Sequence, residues 1–314
     1  MTASACRIIS LIPSATEIVD CLGWRDRLVG RSHECDYPPG VEGLPICTAP
    51  KFNPEGSSLE VHQRVTDLLQ SALSVYTVDL ARLKSLNPTH VLTQAQCEVC
   101  AVSLDEVARA VATLVPQTPK VLSLQPAVLN DLWHDIRTVA QAIDGDAGLA
   151  VAETAIAALQ SRVEHCVSVT QELAHRPTVA CIEWIAPLMA AGNWVPELVQ
   201  LAGGQNCFGT VGKHSPWMTW EELTAANPDV IVAMPCGYDM EKTRTEMAVL
   251  IQHPDWDDLK AVKTRRVYLV DGNQYFNRPG PRLVDSLEIL AEIFHPQAIT
   301  FGYESQGWQQ FQIG

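Results

Sequence analysis

Cysteines and a histidine are the first residues here whose types and spacing carry chemical consequences. Cys97 and Cys100 form a Cys-x-x-Cys pair inside QAQCEVC, a spacing at which two thiolates share one soft metal or close a redox disulfide. A capped helix is expected right after them, at Ser103-Leu104-Asp105-Glu106, and its dipole favours the thiolate form. Two further cysteines lie in polar loops: Cys35 in RSHECDY, beside His33 and Glu34, and Cys236 in MPCGYD. Together His33, Cys35, Cys97, Cys100 and Cys236 make a candidate set for zinc or another soft metal. The competing reading is structural, since free cysteine is among the most buried residue types and a loop histidine is as often simply solvated. Cys6, Cys21, Cys166 and Cys181 fall inside expected strands or helices and read as packing, while Cys47 and Cys207 stay open.

A second set is aromatic. Trp184, Trp194, Trp217 and Trp220 cluster in the second half, Tyr238 sits beside Cys236, and Tyr275 and Phe276 lie in a later loop. Flat aromatic walls suit a large planar or partly apolar ligand; Trp220, on an expected helix, reads as core. The segment NRPGPR, Asn277–Arg282, either presents Arg278 to a ligand or forms a rigid turn ahead of a helix. No phosphate loop, G-x-G-x-x-G fingerprint, G-x-S-x-G elbow or H-E-x-x-H motif is present. No acid–base pair or activated nucleophile stands at catalytic spacing, so binding ranks above catalysis. Glu34, Asp36 and Glu98 leave a metal-dependent activity open.

These residues need elements to position them. Arg7–Pro13, RIISLIP, reads as a first strand, and Ser14 with Glu17 has capping-box spacing for a helix running to Gly23. Further strands are expected at Arg27–Gly30, His90–Thr93 and Val121–Leu124, with helices at Leu59–Ala72, Leu80–Leu86 and Asp131–Ile143. After a break at Asp144–Asp146, the alanine-rich, proline-free stretch Asp146–Ala174 reads as one long helix. The pattern then recurs: Thr178–Trp184 is a buried-type strand, and Val195–Leu201 parallels Ala15–Leu22. Trp220–Ala233, WEELTAANPDVIVA, parallels Leu80–Thr93, LARLKSLNPTHVLT. Cys97 follows Asn87 by ten positions and Cys236 follows Asn227 by nine, so the two cysteines stand at matching places. A strand at Arg266–Val270 and a helix at Pro281–Phe294 complete the second half. The expected architecture is α/β: two lobes with mainly parallel sheets joined by a single long helix. The N-terminal lobe spans 1–143, the linking helix 144–176 and the C-terminal lobe 177–314. Loops at the strand C-terminal ends then face a cleft that the stiff linker leaves largely preformed.

Composition bounds the function. Of 314 residues, 47% are hydrophobic and 18% charged, as in ordinary soluble globular proteins. The net charge of -14 with no basic cluster removes long-range attraction to nucleic acid or an anionic membrane, so the expected partner is a small molecule. No basic n-region with an apolar h-region precedes the first strand and no run of about 20 apolar residues occurs. The expected compartment is the cytoplasm, with no membrane insertion, and ten cysteines there are expected to be reduced.

Four stretches, ISLIPSATEIVDCLG, LKSLNPTHVLT, SPWMTWEELTAANPDVIV and NRPGPRLVDSLEILAEIFHP, resemble the helix-linked, class III substrate-binding proteins of ABC importers. That group carries cobalamin, heme, siderophores and metals, and the similarity is greatest to its cobalamin-binding branch. It covers nearly the whole chain. The resemblance implies a non-enzymatic protein holding a corrinoid, cobalamin-like, or related metal chelate in a shallow aromatic cleft with little hinge motion. Carried onto this chain, it implies ligand contacts at Trp217 and near Tyr37. It also implies a glutamate, Glu221 or Glu222, that docks on an ABC permease if the protein is exported; Glu98 and Glu106 are the first-lobe candidates. Trp184, Trp194, Tyr238, Tyr275 and Arg278 complete the expected ligand set. The HEC and CEVC elements depart from the cobalamin-binder pattern, as does the absence of an export signal. Alternatives are therefore a cytoplasmic Cys/His metal carrier or metalloenzyme using the same cleft, and an interaction module reusing the fold.

Overall fold

The computed structural model describes residues 6–70, 75–94, 107–108, 111–112 and 118–312. The chain divides into two compact units: Met1–Gly56, Gln63–Pro126 and Asn130–Ala158 form the first, and Ser57–His62, Ala127–Leu129 and Leu159–Gly314 the second.

In the first unit the strands are β1 (Ile8–Ser10), β2 (Leu28–Arg31), β3 (Thr48–Pro50), β4 (Tyr76–Val78), β5 (His90–Gln94) and β6 (Lys120–Leu124). Four of them make a parallel sheet in the order β2-β1-β5-β6, while β3 and β4 pair as a separate antiparallel ribbon. Ile8, Ile9, Val91 and Leu92 are fully buried, which is why these strands read as continuous apolar runs rather than alternating ones. Helix α1 (Pro13–Cys21) follows β1. The expected Ser14–Glu17 capping box does not form: Pro13, with φ already fixed near the helical value, starts the helix two residues earlier than an N-cap at Ser14 would, and Ser14 and Glu17 are buried within it.

Helices α2 (Ser58–Leu69) and α3 (Leu80–Leu86) precede the long α4 (Leu129–Gln171). That helix is two segments, broken at Asp144 (φ -139°, ψ 18°) and Gly145 (φ 58°, ψ -137°), where the sequence predicts a break. Among the described residues no helix is long and apolar enough to cross a membrane.

In the second unit the strands are β7 (Thr178–Trp184), β8 (Met189–Ala190), β9 (Gln205–Asn206), β10 (Val230–Ala233), β11 (Val267–Val270) and β12 (Trp308–Gln310). The parallel set β9-β7-β10-β11 repeats the order β2-β1-β5-β6 strand for strand. Antiparallel β12 extends it at β11, and short β8 pairs with the end of β7. The helices of seven residues or more that lie wholly after α4 are α5 (Val195–Leu201), α6 (Trp220–Ala226), α7 (Met240–Ile251) and α8 (Leu283–Phe294). Arg162, on α4, donates to Asp285 at 2.5 Å and to both Glu288 oxygens at 2.6 and 3.1 Å on α8, and to the Tyr303 hydroxyl. This half-buried cluster fixes the second segment of α4 against α8.

The Asn-Pro repeat has a common physical cause. Asn87 ends α3 at φ 45°, ψ 62°, and Asn227 ends α6 at φ 40°, ψ 61°; asparagine tolerates this left-handed cap and the following proline stops the helix. Replacing Asn87 with alanine is expected to cost about 1 kcal/mol and with glycine close to nothing, read from thermal or urea midpoints. Asn227 also accepts a hydrogen bond from the Lys260 N–H at 2.7 Å.

Candidate functional site

The ligand-type residues of the second unit lie at the C-terminal ends of β7, β10 and β11, where open α/β sheets collect their chemistry. Glu183 and Trp184 end β7. Ser215 donates to the Glu183 carboxylate, 3.0 Å from each oxygen, and accepts the Gly192 N–H at 3.1 Å. Burial pushes the Glu183 carboxyl above the usual range, against the pull of the Ser215 hydroxyl. Gly192 is required here because a Cβ would stand 2.5 Å from the Ser215 backbone N. The hydroxyl thus ties the end of β7 to the 213–218 loop. Ser215→Ala leaves Glu183 without that donor and is expected to cost on the order of 1–3 kcal/mol in thermal unfolding.

That loop carries Trp217. Ala190 N donates to Pro216 O and Met218 N to Leu188 O, both at 3.0 Å, so the backbone is held on either side of an indole that stays 57% exposed. Its one aromatic neighbour among the described residues is His62, edge-on at 5.4 Å. Trp184, half-buried, donates to Ala186 O at 3.1 Å and leans on Tyr238 at 5.4 Å. Tyr238 itself is buried, its hydroxyl has no hydrogen-bond partner among the described residues, and the Lys242 ammonium lies 4.0 Å from its ring centre. Trp194 is buried and donates to Phe276 O at 2.9 Å, so it braces the loop after β11.

That loop is a π-helical turn, Gly272–Phe276, capped by Asp271, which accepts from Gln274 N at 2.7 Å. Gly272 lets it press on the β10 loop: a Cβ there would stand 2.4 Å from Pro235 O. Tyr275 is half-buried, with the Arg282 guanidinium 5.5 Å from its ring centre. Arg278 is buried and donates to Asn273 Oδ1 at 3.0 Å. Trp220 stacks face to face on His253 at 3.8 Å against the core of this unit.

In the first unit His33, Glu34 and Cys35 follow β2. Cys35 is fully buried and its sulfur accepts from the Thr16 hydroxyl at 3.1 Å. Arg31, buried, donates to the carbonyls of Ser32, Cys35 and Glu42, which shapes the loop. His33 Nδ1 lies 2.7 Å from Thr48 Oγ1, and Tyr76 donates to Glu34 at 2.8 Å. Tyr37 is exposed at the loop tip. Thr48 and Tyr76 belong to the β3–β4 ribbon, which periodicity does not announce because each strand is three residues long.

Cys97 and Cys100 lie outside the described residues, as do Glu98 and Glu106. Among the described residues no three His, Cys, Asp or Glu side chains converge on a metal-sized site, and Cys236 is half-buried after β10. Glu222 closes a capping box on α6, accepting the Thr219 N–H at 2.8 Å while Thr219 Oγ1 accepts the Glu222 N–H. Glu221, beside it, is exposed.

A family model described as "Periplasmic binding protein" matches residues 8–273. The vitamin B12-binding protein of Vibrio cholerae serotype O1 is 26% identical over 290 residues, covering 90% of this chain and 86% of the relative. The uncharacterized ABC transporter substrate-binding lipoprotein YvrC of Bacillus subtilis is 24% identical, covering 92% and 80%. Among solved structures, a periplasmic heme binding protein from Pseudomonas aeruginosa superposes with a TM-score of 0.72 at 18% identity, covering 98% of both chains. The periplasmic vitamin B12 binding protein of V. cholerae gives 0.65 at 21%, covering 92% and 96%. The fold is thus the class III periplasmic-binding-protein fold, with α/β lobes, parallel sheets and a long helix. With most of its length inside the family model and its two sheets of one repeated topology, the chain belongs to the periplasmic binding protein family and is a binding protein, not an enzyme.

Proposed function

We propose that the chain binds a metal-chelating macrocycle, a corrinoid first and a heme-type porphyrin second, and hands it to an ABC permease. The observation that carries this reading is Trp217, an indole left 57% exposed on a backbone held from both sides. A broad apolar face that is already ordered binds a flat ligand at low entropic cost. Trp184, half-buried at the end of β7 in the same unit and backed by the buried Tyr238, adds aromatic surface, and the relatives named as vitamin B12-binding proteins support the corrinoid. Permease docking falls to the exposed Glu221 or Glu222 at the start of α6.

The test is titration of the purified protein with cyanocobalamin, hemin and zinc chloride in parallel, followed by tryptophan fluorescence and calorimetry. Saturable 1:1 binding of cyanocobalamin at about micromolar concentration is the expected result. Tighter binding of hemin moves the cargo to the porphyrin class, and binding of zinc alone overturns the macrocycle reading.

A further inference from the structure

Cys6 and Arg7 lead into β1, and Thr89 and His90 open β5 beside them, Ile8 and His90 being register partners. All four residues stand at the N-terminal edge of the first unit's parallel sheet, the end opposite the loops that follow its strands. Cys6 Sγ lies 3.6 Å from His90 Nδ1 and 3.7 Å from Thr89 Oγ1, and Thr89 Oγ1 lies 2.9 Å from His90 Nδ1. On the other side of the ring, Nε2 is 3.1 Å from Ala142 O on α4, in the same unit.

The carbonyl decides the tautomer. A backbone oxygen only accepts, so Nε2 carries a proton and donates it. Burial, with the charge of Lys120 across the β5–β6 register, holds the ring below the usual histidine range against the pull of that carbonyl. The imidazole is then neutral at pH 7 and Nδ1 is an acceptor. Of the other charged groups on neighbouring elements, Arg7 spends its guanidinium on Leu86 O at 2.9 and 3.0 Å, and Asp144, just past Ala142, pairs with Arg27 at 3.7 Å.

Two donors compete for Nδ1. Arg7 O already takes the N–H groups of Thr89 at 2.8 Å and His90 at 3.2 Å, and Thr89 Oγ1 accepts the Arg7 N–H at 3.0 Å. If the Thr89 proton goes to Arg7 O, 3.1 Å away, the Cys6 thiol donates to Nδ1 directly. If it goes to Nδ1, the thiol donates to the second lone pair of Thr89 Oγ1 and the hydroxyl relays. In both arrangements the path of the thiol proton ends on His90 Nδ1. A nucleophile, a base and a third group that orients the base are thus in reach of one another, the arrangement that activates a thiol.

We infer that Cys6 is a modification site, a thiol that His90 activates towards small disulfides. His90 takes the thiol proton, the Cys6 sulfur attacks one sulfur of R–S–S–R, and a Cys6–S–S–R bond forms as the old S–S bond breaks. The departing thiolate takes the proton and leaves as R–SH, so Cys6 is oxidised as one half of the reagent is reduced. The reaction is stoichiometric and does not rest on the macrocycle reading. Cys6 is half-buried, which leaves its sulfur within reach of a small reagent, and the expectation that it serves packing gives way to this role.

The test is exposure of the fully reduced, full-length protein to hydroxyethyl disulfide, a small neutral reagent, with the rate at each cysteine read by peptide mass spectrometry. At pH 7 Cys6 is expected to react about tenfold faster than Cys21 and Cys207, which are also half-buried but contact no histidine among the described residues. Equal rates at the three overturn the inference, and this comparison needs no variant. His90→Phe and His90→Gln, the second able to accept a hydrogen bond but not to carry the proton away, are both expected to slow Cys6 about tenfold at pH 7. At pH 10, where a thiol ionises without a base, both are expected to match the unsubstituted protein. Unchanged rates at pH 7, or a deficit that persists at pH 10 and so reports access rather than proton transfer, overturn the role of His90.

Discussion

Asp135→Asn is expected to stabilise the protein at pH 7.5 and above by roughly 2–4 kcal/mol, a rise of several degrees in thermal midpoint. Asp135 lies on α4 in the first unit, where Leu132, Ile136, Val139 and Ala140 form the fully buried face. Its side chain is nearly as buried as theirs, and its Oδ2 has no hydrogen-bond partner among the described residues. Burial, helped by the charge of Asp131 one turn earlier, raises its carboxyl from 3.8 to about 7. Because the folded state holds this proton more tightly than the unfolded chain, the contribution of Asp135 is harmless below about pH 4. It turns increasingly unfavourable as pH rises towards 7 and is constant above that. Each pH unit in that window costs about 1.4 kcal/mol, so the full penalty is on the order of 4 kcal/mol, less what the asparagine amide loses by being buried in its turn.

Stability difference curves between the two proteins, taken from pH 4 to 8.5, isolate the effect. His33, His90 and His295, all held below the usual histidine range, act in the opposite sense and cancel in the difference. Glu183, raised like Asp135, cancels too. A flat difference curve would falsify the assignment of an orphan buried carboxyl.

Asp135 also shows where sequence reading stops. The helix itself was legible from its apolar spacing, and so were β7 and α5 to the residue, because buried parallel strands and capped helices leave strong local signals. The Asn-Pro repeat was legible because a left-handed cap and a helix stop are properties of those two residue types. Asp135 was readable in principle, as an acid three positions after Leu132 and one before Ile136 on the apolar stripe. What no local pattern carries is partner choice. Cys35 looked like a ligand in a polar loop, yet its sulfur points to Thr16 of α1, nineteen residues away. Arg278 and Trp194 sit in the right segments but spend their donors on Asn273 and on Phe276 O. The β3–β4 ribbon, which supplies Thr48 and Tyr76 to the His33 loop, pairs segments separated by about two dozen residues through three-residue strands, too short for period-2 alternation to register.

Trp217→Ala is expected to weaken macrocycle binding about 50- to 100-fold while leaving thermal stability nearly unchanged. A tryptophan side chain offers on the order of 200 Å², and with 57% of the residue exposed about 100 Å² remains for a ligand to cover. At about 25 cal/mol per Å² that is roughly 2.5 kcal/mol, the size typical of an aromatic hot spot. The same exposure predicts the stability result, because the indole is not among the buried residues of the core and, among the described aromatics, touches only His62, edge-on. Its ordering is supplied by the main chain at Pro216 and Met218, which alanine keeps. Trp217→Phe, smaller but flat, is expected to lose about tenfold. Calorimetry is the proper readout, since eight tryptophans share the fluorescence. Full affinity in Trp217→Ala with an unchanged midpoint would move the ligand away from this loop, and a lowered midpoint in the alanine variant would mean that the indole serves the fold before it serves the ligand.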